Sequence, residues 1–222
     1  MQTPKLIIVT ILGDLKNGET LQSAEGLYKK YSERTEINKQ VELVHCSRAG
    51  EASKVKDAVG KGKVAIEAND RVGVYIVSHS YDLQTAVDGK HDMGKVIKKL
   101  LEDRATVTNY ILDKVCLVVC GAAEGAPELE KELDLTETKE MTLIQRFAMQ
   151  LCNAGLHPRL AGWTKWITGH ESGKKQIIGS TSPQVKFASE ATISKEKQKM
   201  VYVWNQSGYV RKKLDSWSEK TG

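Results

Sequence analysis

The sequence predicts an α/β protein, with a mostly parallel central sheet flanked by helices and a C-terminal β-hairpin region. Over the first 155 residues, apolar runs of strand length alternate with segments of helical periodicity. The predicted strands are continuous and rich in β-branched residues, as in sheets that are covered on both faces. After Gly155 the helical segments give way to short apolar runs separated by Gly-containing turns.

The first half supplies three strands and two helices. The uninterrupted run KLIIVTIL at 5–12 predicts a buried strand. Residues 18–35 have apolar positions at helical spacing, and VELVHCSR at 41–48 is the second predicted strand. A short helix over 51–62 ends at Gly, and RVGVYIVSHS at 71–80 is the third predicted strand.

The second half continues the alternation and then changes character. An amphipathic pattern predicts a helix over 93–107, and DKVCLVVCG at 113–121 is the fourth predicted strand. A second amphipathic helix is predicted over 140–155. Residues 159–180 and 199–217 each predict a hairpin, with HESGKK and NQSG at the tips.

This pattern favours one domain over residues 1–222, with an α/β core over 1–155 and a hairpin appendage over 156–222. The net charge of +5 permits a local anion site, but with 6% aromatic residues it gives no support to nucleic-acid binding. No run is long enough to span a membrane, and the N-terminus lacks the features of a signal peptide. These features favour a cytoplasmic protein.

Four cysteines are present, without the spacing of a zinc site, and they favour free thiols in a reducing compartment. Neither GxGxxG after the first strand nor GxxxxGK[ST] occurs, which argues against a nucleotide-binding protein of the doubly wound class.

Two chemically active side chains end neighbouring apolar runs. VYIVS leads into His79, and CLVV leads into Cys120, 41 positions later. That separation suits one helical crossover, after which two parallel strands are commonly neighbours. Ligands of open α/β sheets bind beyond the carboxyl ends of the strands. We therefore expect His79 and Cys120 to face each other at one edge of the sheet.

An imidazole beside a thiol can generate the thiolate that nucleophilic catalysis requires. The residues after Cys120, GAAEG, are small and would let a substrate approach the backbone, so the N–H of Gly121 is the predicted oxyanion donor. Cys116 lies inside the same apolar run and is predicted to be core, and Cys46 and Cys152 are also predicted to be structural.

The order of these segments resembles the clan CD cysteine peptidases, and most closely the autoprocessing cysteine protease domains of MARTX and large clostridial toxins. The similarity extends over KLIIVTILGD, VYIVSHS, CLVVCGAAEG, LIQRFAMQLCNAG and WITGHESGKKQIIG. The resemblance implies a cysteine endopeptidase that cleaves itself or another protein, with Cys120 as nucleophile and His79 as general base. It implies that Asp14 orients the histidine; a turn or helix-cap role for Asp14 stays open.

The resemblance also implies activation by inositol hexakisphosphate, bound in a basic pocket away from the active site. No cofactor is required for the chemistry itself. The predicted ligands of this polyanion are Lys29, Lys30, Arg71, Lys174, Lys175 and Lys199, with Arg211, Lys212 and Lys213 as further options. The resemblance to toxin domains also implies a second location, in which the protein is delivered into the cytosol of a host cell as a toxin domain or effector. A catalytically silent relative that binds a polyanion or a protein partner is the alternative function.

Overall fold

The computed structural model describes residues 4–12, 18–33, 40–47, 62–88, 92–136, 141–164, 166–169, 175–178 and 199–217. Their strands are β1 (Lys5–Leu12), β2 (Gln40–Ser47), β3 (Arg71–Ser78), β4 (Ile111–Val118), β5 (Arg159–Trp163), β6 (Trp166–Gly169), β7 (Lys175–Ile178), β8 (Lys199–Trp204) and β9 (Tyr209–Lys212). Their helices are α1 (Gly18–Ser32), α2 (Ser80–Asp88), α3 (Met93–Glu102) and α4 (Leu143–Asn153), with a 3₁₀ helix at Leu214–Trp217.

Seven strands form one sheet in the order β2-β1-β3-β4-β5-β8-β9. The first five of these strands run parallel to one another, and β8 and β9 continue the sheet antiparallel. β6 and β7 form a separate antiparallel hairpin, and β6 lies against α1. The predicted α/β class and the mostly parallel central sheet are therefore confirmed.

Helices cover both faces of the sheet, because its strands are apolar on both sides. On the α1 face, Tyr75, Val77, Cys116 and Val118 pack with α1 and Trp217. On the opposite face, the alternate residues of the same strands pack with α2, α3 and α4. Within the described residues, no helix combines the length and apolar character needed to cross a bilayer.

Two element boundaries differ from the sequence expectation. β3 ends at Ser78 rather than at residue 80, because the chain turns into α2 at once and the N–H of Leu83 donates to the carbonyl of His79. α3 ends at Glu102 rather than at residue 107. The N–H groups of Arg104 and Ala105 donate to the carbonyl of Leu101 and end the helix. The segment that follows pairs with Ile66, and the β-branched residues of this segment suit such pairing better than a helix.

The predicted C-terminal hairpins are present as β6–β7 and β8–β9, but the first segment of that region was predicted wrongly. All five residues of β5 are buried, and the strand pairs in parallel with β4, so it belongs to the central sheet. The expected hairpin at 199–217 is present as β8 and β9, and it extends the same sheet. Nearly all of the expected helix over 51–62 lies outside the described residues, and Gly62 is not helical.

Candidate active site

His79 and Cys120 lie at matching positions beyond two neighbouring parallel strands. The β3–β4 register pairs Val77 with Val118, and continuing it by two residues places positions 79 and 120 opposite each other. Adjacent strands are about 4.8 Å apart, so the two backbones are close enough for their side chains to meet. The expected adjacency of these strands is therefore confirmed.

Strand alternation places both side chains on the α1 face of the sheet. Tyr75 and Val77 face α1 from β3, so the next odd-numbered residue, His79, is expected on that side. Cys116 and Val118 face α1 from β4, and Cys120 packs against the same cluster. A thiol and an imidazole are therefore expected to face each other at the carboxyl edge, where open α/β sheets bind their ligands.

Two hydrogen bonds fix the backbone around the histidine. The buried hydroxyl of Ser78 donates to the carbonyl of Ile11 over 2.8 Å, which joins the end of β3 to β1. The carbonyl of His79 accepts the Leu83 N–H over 3.0 Å and begins α2. His79 therefore has little backbone freedom, while its side chain stays partly exposed to solvent.

The loop that follows Cys120 is held between β5 and α4. The N–H of Ala123 donates to the carbonyl of Trp163 over 2.9 Å, and the carbonyl of Ala122 accepts the Ile144 N–H over 3.0 Å. Both alanines are fully buried. A Cβ on Gly162 would lie 3.2 Å from that of Ala123, so a glycine in β5 permits this close packing.

The amino end of α4 therefore abuts the loop that carries the thiol. Its partial positive charge favours an anion nearby, and a cysteine thiolate is such an anion. Thr142 and Gln145 cap this end of the helix, through side-chain hydrogen bonds in both directions. The local sequence thus builds a rigid and electropositive support beneath residues 120–123.

Gly121 presents a backbone donor beside the thiol. Its φ of +61° lies in the left-handed region that glycine adopts without strain. In the part of the chain that the structure describes, its N–H has no hydrogen-bond acceptor, while its carbonyl accepts the Glu124 N–H over 3.0 Å. An N–H left available beside a nucleophile is the requirement for an oxyanion donor.

The four cysteines are free thiols, and they differ in environment. Cys116 is fully buried, as expected of a core residue. Burial raises the pKa of Cys46 to about 11, against a smaller lowering effect of the Arg104 charge. Burial also raises the pKa of Cys152. Cys120 is partly exposed at the strand end, so it is the thiol best placed to meet a substrate.

A group of cations gathers around one carboxylate at the opposite, amino edge of the sheet. The Asp113 carboxylate pairs with Arg71 at 2.5 Å and with Arg159 at 2.7 Å, and the Lys114 ammonium is 3.9 Å away. With Lys199, these three cationic residues form what we call the basic cluster. The side chains of Asp113 and Arg159 are only 8% and 4% exposed, so this charge excess is partly removed from water.

Trp217 ties the basic cluster to the C-terminal 3₁₀ helix. The ammonium groups of Lys199 and Lys114 lie 4.0 and 5.4 Å from the centre of its ring. Arg159 donates to the carbonyl of Ser216. Burial lowers the pKa of Lys114, the charges of Arg159 and Arg71 act in the same direction, and Asp113 opposes them.

Three of the predicted polyanion ligands that the structure describes lie at this same edge. Arg71 begins β3, and Lys29 and Lys30 are in the last turn of α1, which returns from the carboxyl edge. Lys199 begins the antiparallel strand β8 opposite Trp163, so its backbone lies toward the carboxyl edge, and its ammonium group approaches that of Lys114 only across the Trp217 ring. Sequence reasoning missed Lys114 and Arg159. A signal was present, because Arg71, Lys114 and Arg159 each stand immediately before an apolar run.

Other predicted residues lie elsewhere or outside the described part of the chain. Asp14 and Lys174 fall outside it, as does the side chain of Lys175, whose backbone begins β7. Arg211 donates to the carbonyl of Pro127, and Lys212 pairs with Glu130 over 2.5 Å. These two residues hold residues 127–130 against β9 and do not join the basic cluster.

Among the described residues, no group of three or more His, Cys, Asp or Glu side chains is arranged to hold a metal ion. No protein-family model matches the chain, and no curated protein is significantly similar to it.

Proposed function

We propose that this protein is a cysteine endopeptidase with a Cys120–His79 dyad. The observation that carries the proposal is the register of the neighbouring parallel strands β3 and β4, beyond whose ends residues 79 and 120 stand at matching positions. The resemblance to the clan CD peptidases, and within them to the toxin processing domains, supports the same assignment of nucleophile and base. The substrate is a protein or peptide, either another molecule or a segment of this one.

The reaction follows from the chemistry of these groups. His79 takes the proton of Cys120, and the thiolate sulfur attacks the scissile carbonyl carbon, forming the C–S bond. The Gly121 N–H stabilises the negative oxygen. His79 then gives the proton to the leaving nitrogen as the C–N bond breaks. Water, deprotonated by His79, hydrolyses the thioester and regenerates the thiol, so one new carboxyl terminus and one new amino terminus result without any redox change.

The test of this proposal is a library of proteome-derived peptides incubated with the protein and read by mass spectrometry. Cleavage should persist in EDTA, since the dyad needs no metal, and should stop after iodoacetamide treatment. Cleavage that EDTA abolishes, or that survives alkylation of all exposed thiols, would contradict the proposal.

Gly121 provides a sharper test of the oxyanion donor. Gly121→Ala should lower kcat about tenfold or more, because alanine disfavours φ of +61° and a shift of the backbone moves the N–H. Gly155→Ala is the matched control, with φ of +73° and open space around the added methyl group. Gly155→Ala should lower the free energy of unfolding by about as much as Gly121→Ala does, and it should leave kcat unchanged. Equal kcat in both variants would remove Gly121 from the mechanism.

We further propose that the basic cluster binds inositol hexakisphosphate and that the bound polyanion favours the active state. Several converging cations are needed for so highly charged a ligand. Arg71, Lys114 and Arg159 converge around one carboxylate, and the Lys199 ammonium lies over the same Trp217 ring as that of Lys114. Binding activates only through a higher affinity for the competent conformation. The contact of β6 with α1 offers a route, because α1 also ends at this edge.

Titration calorimetry checks this binding. Lys114→Gln and Lys199→Gln should each weaken inositol hexakisphosphate binding about tenfold, and the wild-type affinity should fall as salt rises. Lys95→Gln, an exposed change on α3, should have no effect. Absence of binding heat and of a thermal shift at low salt would reject the activator. Binding without peptide cleavage would instead support the catalytically silent alternative.

A further inference from the structure

Glu124 lies over the predicted oxyanion donor. Its backbone N–H donates to the Gly121 carbonyl, which folds the loop back on itself. One carboxylate oxygen, Oε2, is 3.4 Å from the point that a Cβ on Gly121 would occupy. The residue is exposed, and its carboxylate makes no hydrogen bond or ion pair with any residue that the structure describes. A negative charge thus stands uncompensated beside the proposed reaction centre.

The segment that continues from Cys120 is acidic, although the whole chain is basic. Over residues 121–136 its charged residues are Glu124, Glu128, Glu130, Lys131, Glu132 and Asp134, in a chain of net charge +5. Three of these carboxylates have partners: Glu130 pairs with Lys212, Glu132 accepts from Asn205 and Ser207, and Asp134 accepts from the N–H of Thr136. Glu124 is the acidic residue nearest to Cys120 along this segment. Glu130 and Glu132 lie against β9, away from the Cys120 loop, so Glu124 is the charge of this segment that bears on the proposed reaction centre.

This charge has a consequence for catalysis. The tetrahedral intermediate places a negative oxygen at the Gly121 N–H, and a carboxylate a few ångströms away opposes that charge. A cationic side chain of the substrate would neutralise Glu124 and remove the repulsion. The benefit grows as the bound peptide excludes water from the cleft.

We propose that Glu124 is a specificity-determining residue, which selects peptides that carry Lys or Arg beside the scissile bond. The proposal rests on the cysteine peptidase function given above and adds the substrate class, namely basic peptides. It predicts selection through kcat/KM, because the substrate cation acts on the charge that develops in the transition state.

The experiment compares cleavage of one peptide library by wild type, Glu124→Gln and Glu124→Lys. Wild type should enrich Lys and Arg next to the cleaved bonds. On a matched pair of peptides that differ by Arg or Gln at the enriched position, wild type should favour Arg by on the order of fivefold in kcat/KM at low salt. Glu124→Gln should abolish the preference, and Glu124→Lys should reverse it toward Asp or Glu. Glu102→Gln, the same charge change at the far end of α3, should preserve the wild-type profile.

The outcomes distinguish the proposed role of Glu124 from the cysteine peptidase function on which it rests. Cleavage by wild type without enrichment of Lys or Arg, or the same enrichment in Glu124→Gln, would overturn the role of Glu124 and leave the peptidase intact. No cleavage of any peptide, together with no selective alkylation of Cys120, would overturn both. Loss of the preference for Lys and Arg in Glu124→Gln, at an unchanged melting temperature, would establish the role of Glu124 in specificity.

Discussion

Cys120→Ala abolishes peptide cleavage, whereas Cys116→Ala retains it. Removing a covalent nucleophile lowers kcat by about 10⁴-fold or more, since no neighbouring group replaces it. Cys116 lies four residues earlier on the same strand and is fully buried, so its loss affects packing alone. The measurement is kcat on a peptide identified from the library, with circular dichroism to verify that both variants fold.

His79→Ala should approach the same loss, because the base moves a proton in two steps of the reaction. Equal losses in folded Cys120→Ala and Cys116→Ala would show that the nucleophile had been chosen wrongly. Full activity in His79→Ala would leave Cys120 without its proposed base and would contradict the dyad.

Asp113→Asn should destabilise the protein by about 3 kcal/mol, which is a fall in melting temperature of roughly 6–12 °C at this chain length. The change leaves three cations around a neutral group, and Arg159 is almost fully buried. Breaking a buried ion pair by removing one partner is costly for this reason. Urea unfolding of the variant and wild type measures the difference.

Asp103→Asn is the matched control, because that carboxylate pairs with Lys99 on the exposed surface of α3. Its cost should stay within about 1 kcal/mol. Arg159→Met in the Asp113→Asn background should recover part of the lost stability, since it removes the cation left without a partner. A cost for Asp113→Asn no larger than that for Asp103→Asn would mean that the cluster is well hydrated.

The part of the fold that the sequence predicted best is the part that local pattern determines. KLIIVTIL and VCLVV are apolar runs, and both lie in the sheet with their residues buried on two faces, because this removes their apolar surface from water. The pairing of β3 with β4, the strands that lead to His79 and Cys120, followed from a single crossover whose length permits neighbouring strands.

The rest depended on contacts between distant segments. RLAGW predicted one arm of a hairpin, and it instead joins β4, where Gly162 accepts the Cys120 loop. α2 was not predicted, although Leu83 and Val87 have helical spacing, because the apolar run before His79 suggested a longer strand. The basic cluster brings together residues 71, 114, 159 and 199 from four strands, and only the strand order and the position of Trp217 reveal it.

The dyad is tested most directly by covalent capture with a set of peptidyl acyloxymethyl ketones, read by intact mass and peptide mapping. Folded wild type should gain one adduct, on Cys120, at neutral pH. Cys46 should remain unmodified, because its pKa of about 11 keeps the thiol protonated there, and buried Cys116 should remain unmodified as well. His79→Ala and urea-unfolded wild type should react far more slowly. Adducts spread over several cysteines, or equal rates of Cys120 labelling in folded and unfolded protein, would contradict the Cys120–His79 dyad.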